Sequence, residues 1–244
     1  NTEADNYILI LNSYNESSPW SNSITTPIVH KIAGIENMDA YIEHLNLFMV
    51  GDSTKIERFS EILSSKYGST PPRLLVFIGS MSLIFREEIQ SLWGKVPAIV
   101  CGADPYVYHE EFYRQRDTVT PEEKTHMSEL AEEFNFTYMH TPIYLEENVQ
   151  LMCRIIPGMK KLIFLGDGIY PNPEYDKQLR ELIKDKYPQM DYEYISSRTN
   201  SMHQLYNAVR KTDKTTGILV STWLTESFTS SNFLINAYRS IASI

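Results

Sequence analysis

Short apolar runs alternate with helical stripes along nearly all of the 244-residue chain. Tyr7 to Leu11 (YILIL) is continuously apolar, the pattern of a strand covered on both faces. The polar loop Asn12-Ser13-Tyr14-Asn15 follows. Ser18 is placed to cap a helix whose first position is Pro19, where a missing N–H does no harm. The stripe Ile24, Ile28, Ile32 and Ile35 predicts a helix over Trp20–Ile35. Ala40–Phe48 alternates and reads as a more exposed strand. Gly51-Asp52-Ser53 then caps a helix over Thr54–Lys66, which Gly68 closes. Arg73–Ile78 predicts a second buried strand, Met81–Trp93 a helix and Pro97–Cys101 a third buried strand.

The alternation pauses over Asp104–Thr141, which is polar and aromatic. It holds one predicted helix, Pro121–Glu133, opened by Thr120 with Glu123 three residues on, a capping-box pattern. It then restarts with a helix over Glu146–Ile156, a strand over Lys161–Leu165 and a helix over Pro173–Lys186. A strand over Asp191–Ile195, a helix capped by Asn200 or Ser201 and running through Lys211, and a strand over Gly217–Val220 follow. Ser231 or Asn232 caps a last helix. Strands alternating with helices of this length imply right-handed βαβ units and mainly parallel sheets. The expected fold is α/β, with two doubly wound parallel-sheet lobes. Residues 1–105 form the first, 106–144 the crossing region and 145–244 the second. The second shows three clear strands against four in the first and reads as incomplete, as in a truncated piece.

Composition narrows the function. Net charge is −9, which argues against nucleic acid as the main partner, since phosphate binding needs clustered Lys and Arg. The longest apolar runs fall far short of a membrane span, and the polar start Asn1-Thr2-Glu3-Ala4-Asp5 is no signal peptide. Cys101 and Cys153 make neither a disulfide framework nor a metal site.

The carboxyl ends of the buried strands carry the candidate chemistry. They read Asn12-Ser13-Tyr14, Gly79-Ser80, Gly102-Ala103-Asp104, Gly166-Asp167-Gly168 and Ser221-Thr222-Trp223. In open α/β sheets that edge is where ligands sit. Glycine permits close backbone approach, and hydroxyls and amides are adaptable hydrogen-bonding groups. Turn and cap duty explains any single end equally well. Five together favour a ligand cleft of apolar frame and few polar anchors. Catalytic signals are thin. The six histidines show no metal spacing, and G-x-S-x-G, G-x-G-x-x-G and the Walker lysine motif are all missing. Asp104 and Asp167 are candidates for a carboxylate pair, and equally for a helix cap or an amine anchor. A two-thiol racemase is disfavoured because Cys153 falls within a predicted helix. No cofactor and no metal is expected.

The stretch ILILNSYNESSPWSNSITTPI resembles the opening of the periplasmic-binding-protein-like sensor domains of hybrid two-component histidine kinases of Bacteroides-type organisms. It is also similar to substrate-binding proteins of ABC transporters. TPIYLEENVQLMCRIIPGMKKLIFLGDGIY and KTTGILVSTW are similar to the same family's second lobe. The resemblance implies a type I periplasmic-binding-protein fold, with a small molecule closing the two lobes. It places the domain in the periplasm, between two transmembrane helices of a membrane-anchored parent chain, and leaves room for a homodimer. The matching site residues are Asn12, Ser13, Tyr14, Trp20, Gly79, Ser80, Asp104, Asp167, Ser221, Thr222 and Trp223. Tyr14, Trp20 and Trp223 would cover a ligand, Asn12, Ser80 and Thr222 would hydrogen-bond it, and Asp104 or Asp167 would hold a positive group. An amino acid, a sugar or a nucleoside-like molecule would suit.

Four readings follow: a binding-only sensor domain, a free solute-binding protein feeding an ABC transporter, a small α/β enzyme using Asp104 or Asp167, and a domain that signals by dimerising without a ligand.

Overall fold

A computed structural model describes residues 6–47, 53–68, 70–108, 124–168 and 171–222. The chain divides into two compact units, Asn1–Pro142 and Ile143–Ile244.

In the first unit, β1 (Tyr7–Asn12), β2 (Asp39–His44), β3 (Leu74–Ile78), β4 (Ala98–Ala103) and β7 (Phe136–His140) form one parallel sheet in the order β2-β1-β3-β4-β7. The continuous apolar runs are the central strands; β2, which alternates, lies at an edge. Ile10, Val76, Ile78 and Cys101 form a buried cluster against Ile24, Ile28 and Val29 of α1 (Pro19–Ile32). Strand alternation turns Leu9, Leu11 and Phe77, also buried, to the other face. Each such side chain contributes roughly 1.5–3 kcal/mol by leaving water.

Three local expectations change. Ser18 stands at the N-cap of α1 with Pro19 following, but its side chain makes no cap bond; its carbonyl accepts from Asn22 N–H. Helix α1 ends at Ile32, so Ile35 lies beyond it and is exposed. The chain turns there, through Asn37 at φ 55°, to reach β2. α2 (Ser53–Tyr67) forms as expected, with Gly68 past its end at φ 58°. The single helix expected over Met81–Trp93 is instead a 3₁₀ segment, Ser80–Phe85, followed by α3 (Arg86–Trp93). There Ser82 Oγ donates to the Gly79 carbonyl, three residues back, and Ser82 N–H donates to Ser13 Oγ. These bonds compete with α-helical pairing and tighten the turn.

The crossing region also differs. Its described part adds to the first unit: β5 (Tyr106–Tyr108) pairs antiparallel with β6 (Lys124–His126), α4 (Met127–Phe134) follows, and β7 becomes the fifth strand. The helix begins at Met127 because Lys124–His126 is taken by strand pairing; the His126 side chain caps it by accepting from Ser128 N–H. Thr120 to Glu123 lie outside the described residues.

The second unit carries α5 (Leu145–Ile155), β8 (Lys161–Gly166), α6 (Asn172–Lys186), β9 (Asp191–Ser196), α7 (Met202–Arg210) and β10 (Thr216–Val220). Its parallel strands run in the order β10-β8-β9. Both faces are covered. Leu162 and Phe164 pack with Val149, Leu179 and Ile183 from α5 and α6, while Ile163 and Leu165 pack with Leu205 and Val209 from α7. Ser201, one of the two caps foreseen, completes a capping box with Gln204. Ser231 and Asn232 lie outside the described residues.

Candidate functional site

The carboxyl ends of β1, β3 and β4 build a cluster in the first unit. Asn12 is 0% exposed. Its Oδ1 accepts Tyr14 N–H at 3.1 Å, and its Nδ2 donates to Ser21 Oγ at 3.2 Å and meets His44 Nδ1 at 3.1 Å. Ser13, also fully buried, donates from Oγ to the Gly79 carbonyl at 3.2 Å and accepts Ser82 N–H at 2.9 Å. Both side chains are therefore committed to shaping the loop, and what they position is the pair of rings beside them.

Those rings sit on glycines. A Cβ added at Gly79 would lie 3.0 Å from Tyr14 Cε2, and one added at Gly102 would lie 2.7 Å from Trp20 Cζ2. Gly79 has φ 80° and Gly102 φ 69°, left-handed conformations that L side chains rarely adopt. Tyr14 and Trp20 pack at 5.1 Å between centroids, tilted by 56°. Tyr14 is half-buried, while Trp20 stays 41% exposed.

Asp104 lies two residues beyond Gly102. Its N–H donates to Ser80 Oγ at 3.0 Å, and that hydroxyl donates back to Asp104 Oδ2 at 3.3 Å. Burial pushes the Asp104 carboxyl up to about 6, against the smaller opposite pull of Ser80 and of His140 at the end of β7. A carboxylate in this setting is a group that a ligand's donor or positive charge can compensate.

The second unit has its own polar cluster. Asp167 is 1% exposed. Its N–H donates to the Thr222 carbonyl at 2.6 Å, its carbonyl accepts Tyr194 Oη–H at 2.7 Å, and its Oδ1 accepts Asn172 Nδ2–H at 2.6 Å. Asn172 Nδ2 donates also to Thr222 Oγ1 at 2.7 Å. Asp167 and Thr222 thus tie the ends of β8 and β10 to the start of α6. Ser221 N–H donates to the Leu165 carbonyl and extends the β8–β10 pairing. Tyr194, desolvated by burial, has its hydroxyl pushed up to about 12. Trp223 lies outside the described residues.

Sequence reasoning missed Ser21, His44, Ser82, His140 and Asn172. Asn172 stands directly before Pro173, an Asn-Pro pair typical of a helix start, and that signal was available. The others are polar residues with no local pattern. Among the described residues, no group of three His, Cys, Asp or Glu could hold a metal ion, and no helix is long and apolar enough to cross a membrane.

Parallel sheets flanked by helices, with polar and aromatic residues at the strand ends, give this chain the α/β fold of substrate-binding proteins. Two solved structures exemplify that likeness. One is a substrate binding protein with adhesive properties from Clostridium difficile, in its ligand-free, open form. It matches with a TM-score of 0.51 at 11% identity, over 84% of this chain and 61% of its own. The chain thus spans less than two thirds of that protein's length. The other is an ABC domain from Streptococcus pneumonia in complex with L-Trp, with a TM-score of 0.52 at 16% identity, over 96% of this chain and 71% of its own. At such identities the fold is what is shared. No protein-family model matches the chain, and no curated protein matches it in sequence.

Proposed function

We propose that this chain is an extracytoplasmic small-molecule-binding domain, whose parent chain is a membrane-anchored two-component sensor histidine kinase. The observation that carries binding is the arrangement at the ends of β3 and β4: Tyr14 and Trp20 seated on Gly79 and Gly102, with Asp104 held by Ser80 two residues further on. Tyr14 and Trp20 supply apolar area, Asp104 the polar anchor, and Asn12, Ser13 and Ser80 hold them in place. Of the second-unit residues, Asp167, Ser221 and Thr222 hold their own strand ends. The kinase assignment rests on the resemblance of Ile8 to Ile28 to sensor domains.

A second reading is a solute-binding protein that feeds an ABC transporter. The two similar structures, a substrate binding protein and an ABC domain, support it. The parent gene discriminates: continuation into transmembrane helices and a kinase core supports the sensor, and its lack the transporter. An enzyme is the weaker reading, because the Asp167 side chain is enclosed by Asn172 in the second unit's core.

A thermal-shift screen against amino acids, nucleosides and mono- and oligosaccharides tests binding. A ligand that binds only the folded state stabilises it by about 2.7 kcal/mol at a hundredfold excess over its Kd. The expected result is a hit that Trp20→Ala abolishes while the variant stays folded. A hit that is indifferent to Trp20→Ala would remove this site from consideration.

A further inference from the structure

We propose that the ligand of the first unit carries a positively charged amine, taken up by the Asp104 carboxylate with the indole face of Trp20 beside it. This rests on the small-molecule reading above and names the ligand class for that site.

Among the described residues, the imidazole of His140 is the one basic group that acts on Asp104. One carboxylate oxygen, Oδ2, accepts from Ser80; Oδ1 accepts no hydrogen bond among the described residues. No Lys or Arg pairs with it among the described residues. The elements around it offer little positive charge. The 3₁₀ segment contributes Ser80, a neutral hydroxyl. The first turn of α1 brings Trp20 and Ser21 and no charged side chain. In the β5–β6 hairpin, Lys124 Nζ sits over the Tyr106 ring at 4.3 Å. Strand β7 brings His140, whose charge pulls the Asp104 carboxyl down against its burial. For this carboxylate the cost of burial outweighs the pull of Ser80 and His140, and an incoming ammonium offsets what remains of that penalty.

Trp20 supplies the second half of an amine site. The best aromatic face for a cation is an indole, and this one is exposed, braced by Tyr14 and anchored against Gly102. A neutral sugar would also use an aromatic face and a carboxylate. It would leave the carboxylate's charge uncompensated, whereas an ammonium cancels it.

The test is calorimetric titration of the whole chain with amino acids and arylalkylamines. Each is paired with its N-acetylated, neutral form; monosaccharides and nucleosides form a third set, and phenyltrimethylammonium serves as a cation that does not titrate. The expected result is that a cationic member binds and its acetylated form does not. Asp104→Asn then weakens binding by at least about tenfold, and Trp20→Leu weakens it more than Trp20→Phe. Circular dichroism confirms that each variant is folded. Affinity for phenyltrimethylammonium falls as pH drops through about 6, where Asp104 takes up its proton. His140→Gln moves that midpoint upward, because the charge that holds the carboxyl down is gone. Binding of neutral compounds, unaltered by Asp104→Asn, would overturn the amine proposal and leave small-molecule binding standing. Silence across all sets with a folded protein would overturn both.

Discussion

Asp104 shows at the scale of one residue how a carboxylate drawn out of water opposes stability. Unfolded, its carboxyl titrates near 3.8; folded, near 6. Between those values the unfolded chain has released a proton that the fold retains. The stability associated with this group is therefore fullest below about pH 4 and declines as pH rises toward 6. Asp104→Asn removes the charge and keeps an acceptor for Ser80. The ligand-free variant should be more stable than the natural chain at pH 7, by roughly 1–3 kcal/mol, and the advantage should vanish near pH 4. Denaturant titrations at the two pH values check this. Equal stabilities at pH 7 would mean that the carboxylate is solvated and no ligand counter-charge is called for. Of the candidate residues, Tyr14 and Trp20 stood out in the sequence because large rings are more than a plain strand–helix connection requires, whereas Asp104 read equally well as a helix cap. The inward commitment of Asn12 and Ser13 was not legible. Their partners Ser21, His44, Gly79 and Ser82 stand up to 69 residues away, and local pattern carries no trace of such pairings.

At the scale of elements, the two aromatic seats depend on glycines that end strands. Gly102→Ala meets two penalties, a left-handed φ and a collision with the Trp20 ring, whereas Gly68→Ala meets only the first, with nothing within 4 Å of its added Cβ. Thermal unfolding should show Gly68→Ala losing about 1 kcal/mol and Gly102→Ala clearly more. Gly102→Ala should also shift Trp20 fluorescence, which Gly68→Ala leaves alone. Equal losses would show that the ring is not seated where the structure puts it. The period of the apolar pattern sufficed for most helices and strands, since burial on one or both faces writes itself into the chain. It failed at Met81–Trp93, where side-chain bonds to a distant strand end rewound the first turns into a 3₁₀ segment. It failed again at Lys124–His126, read as helical, where pairing with Tyr106–Tyr108 took precedence.

At the scale of the whole molecule, each of the two units has a sheet and a core of its own, and the chain passes between them through residues 141–144. All four are exposed and lie outside helix and strand. Backbone without ladder bonds is where proteases gain access. Brief chymotrypsin treatment should therefore cut after Tyr144 and yield a fragment that begins at Leu145, detected by mass spectrometry. First cuts within β3, β4 or β8 would contradict the two-unit division.

The sequence by itself determined the α/β class, the parallel strands and where polar and aromatic residues gather at the strand ends. These follow from periodicity, helix caps and the change from apolar to polar at each strand end, all properties of neighbours along the chain. Tertiary structure alone decided that Phe136–His140 joins the first sheet, that the Asn12 and Ser13 side chains bond to distant strand ends, and that Asp167 belongs to a buried network. It also decided that Tyr14 and Trp20 rest on Gly79 and Gly102. Each of these is a contact between residues far apart in sequence, set by how strands pair and which side chains then share one edge.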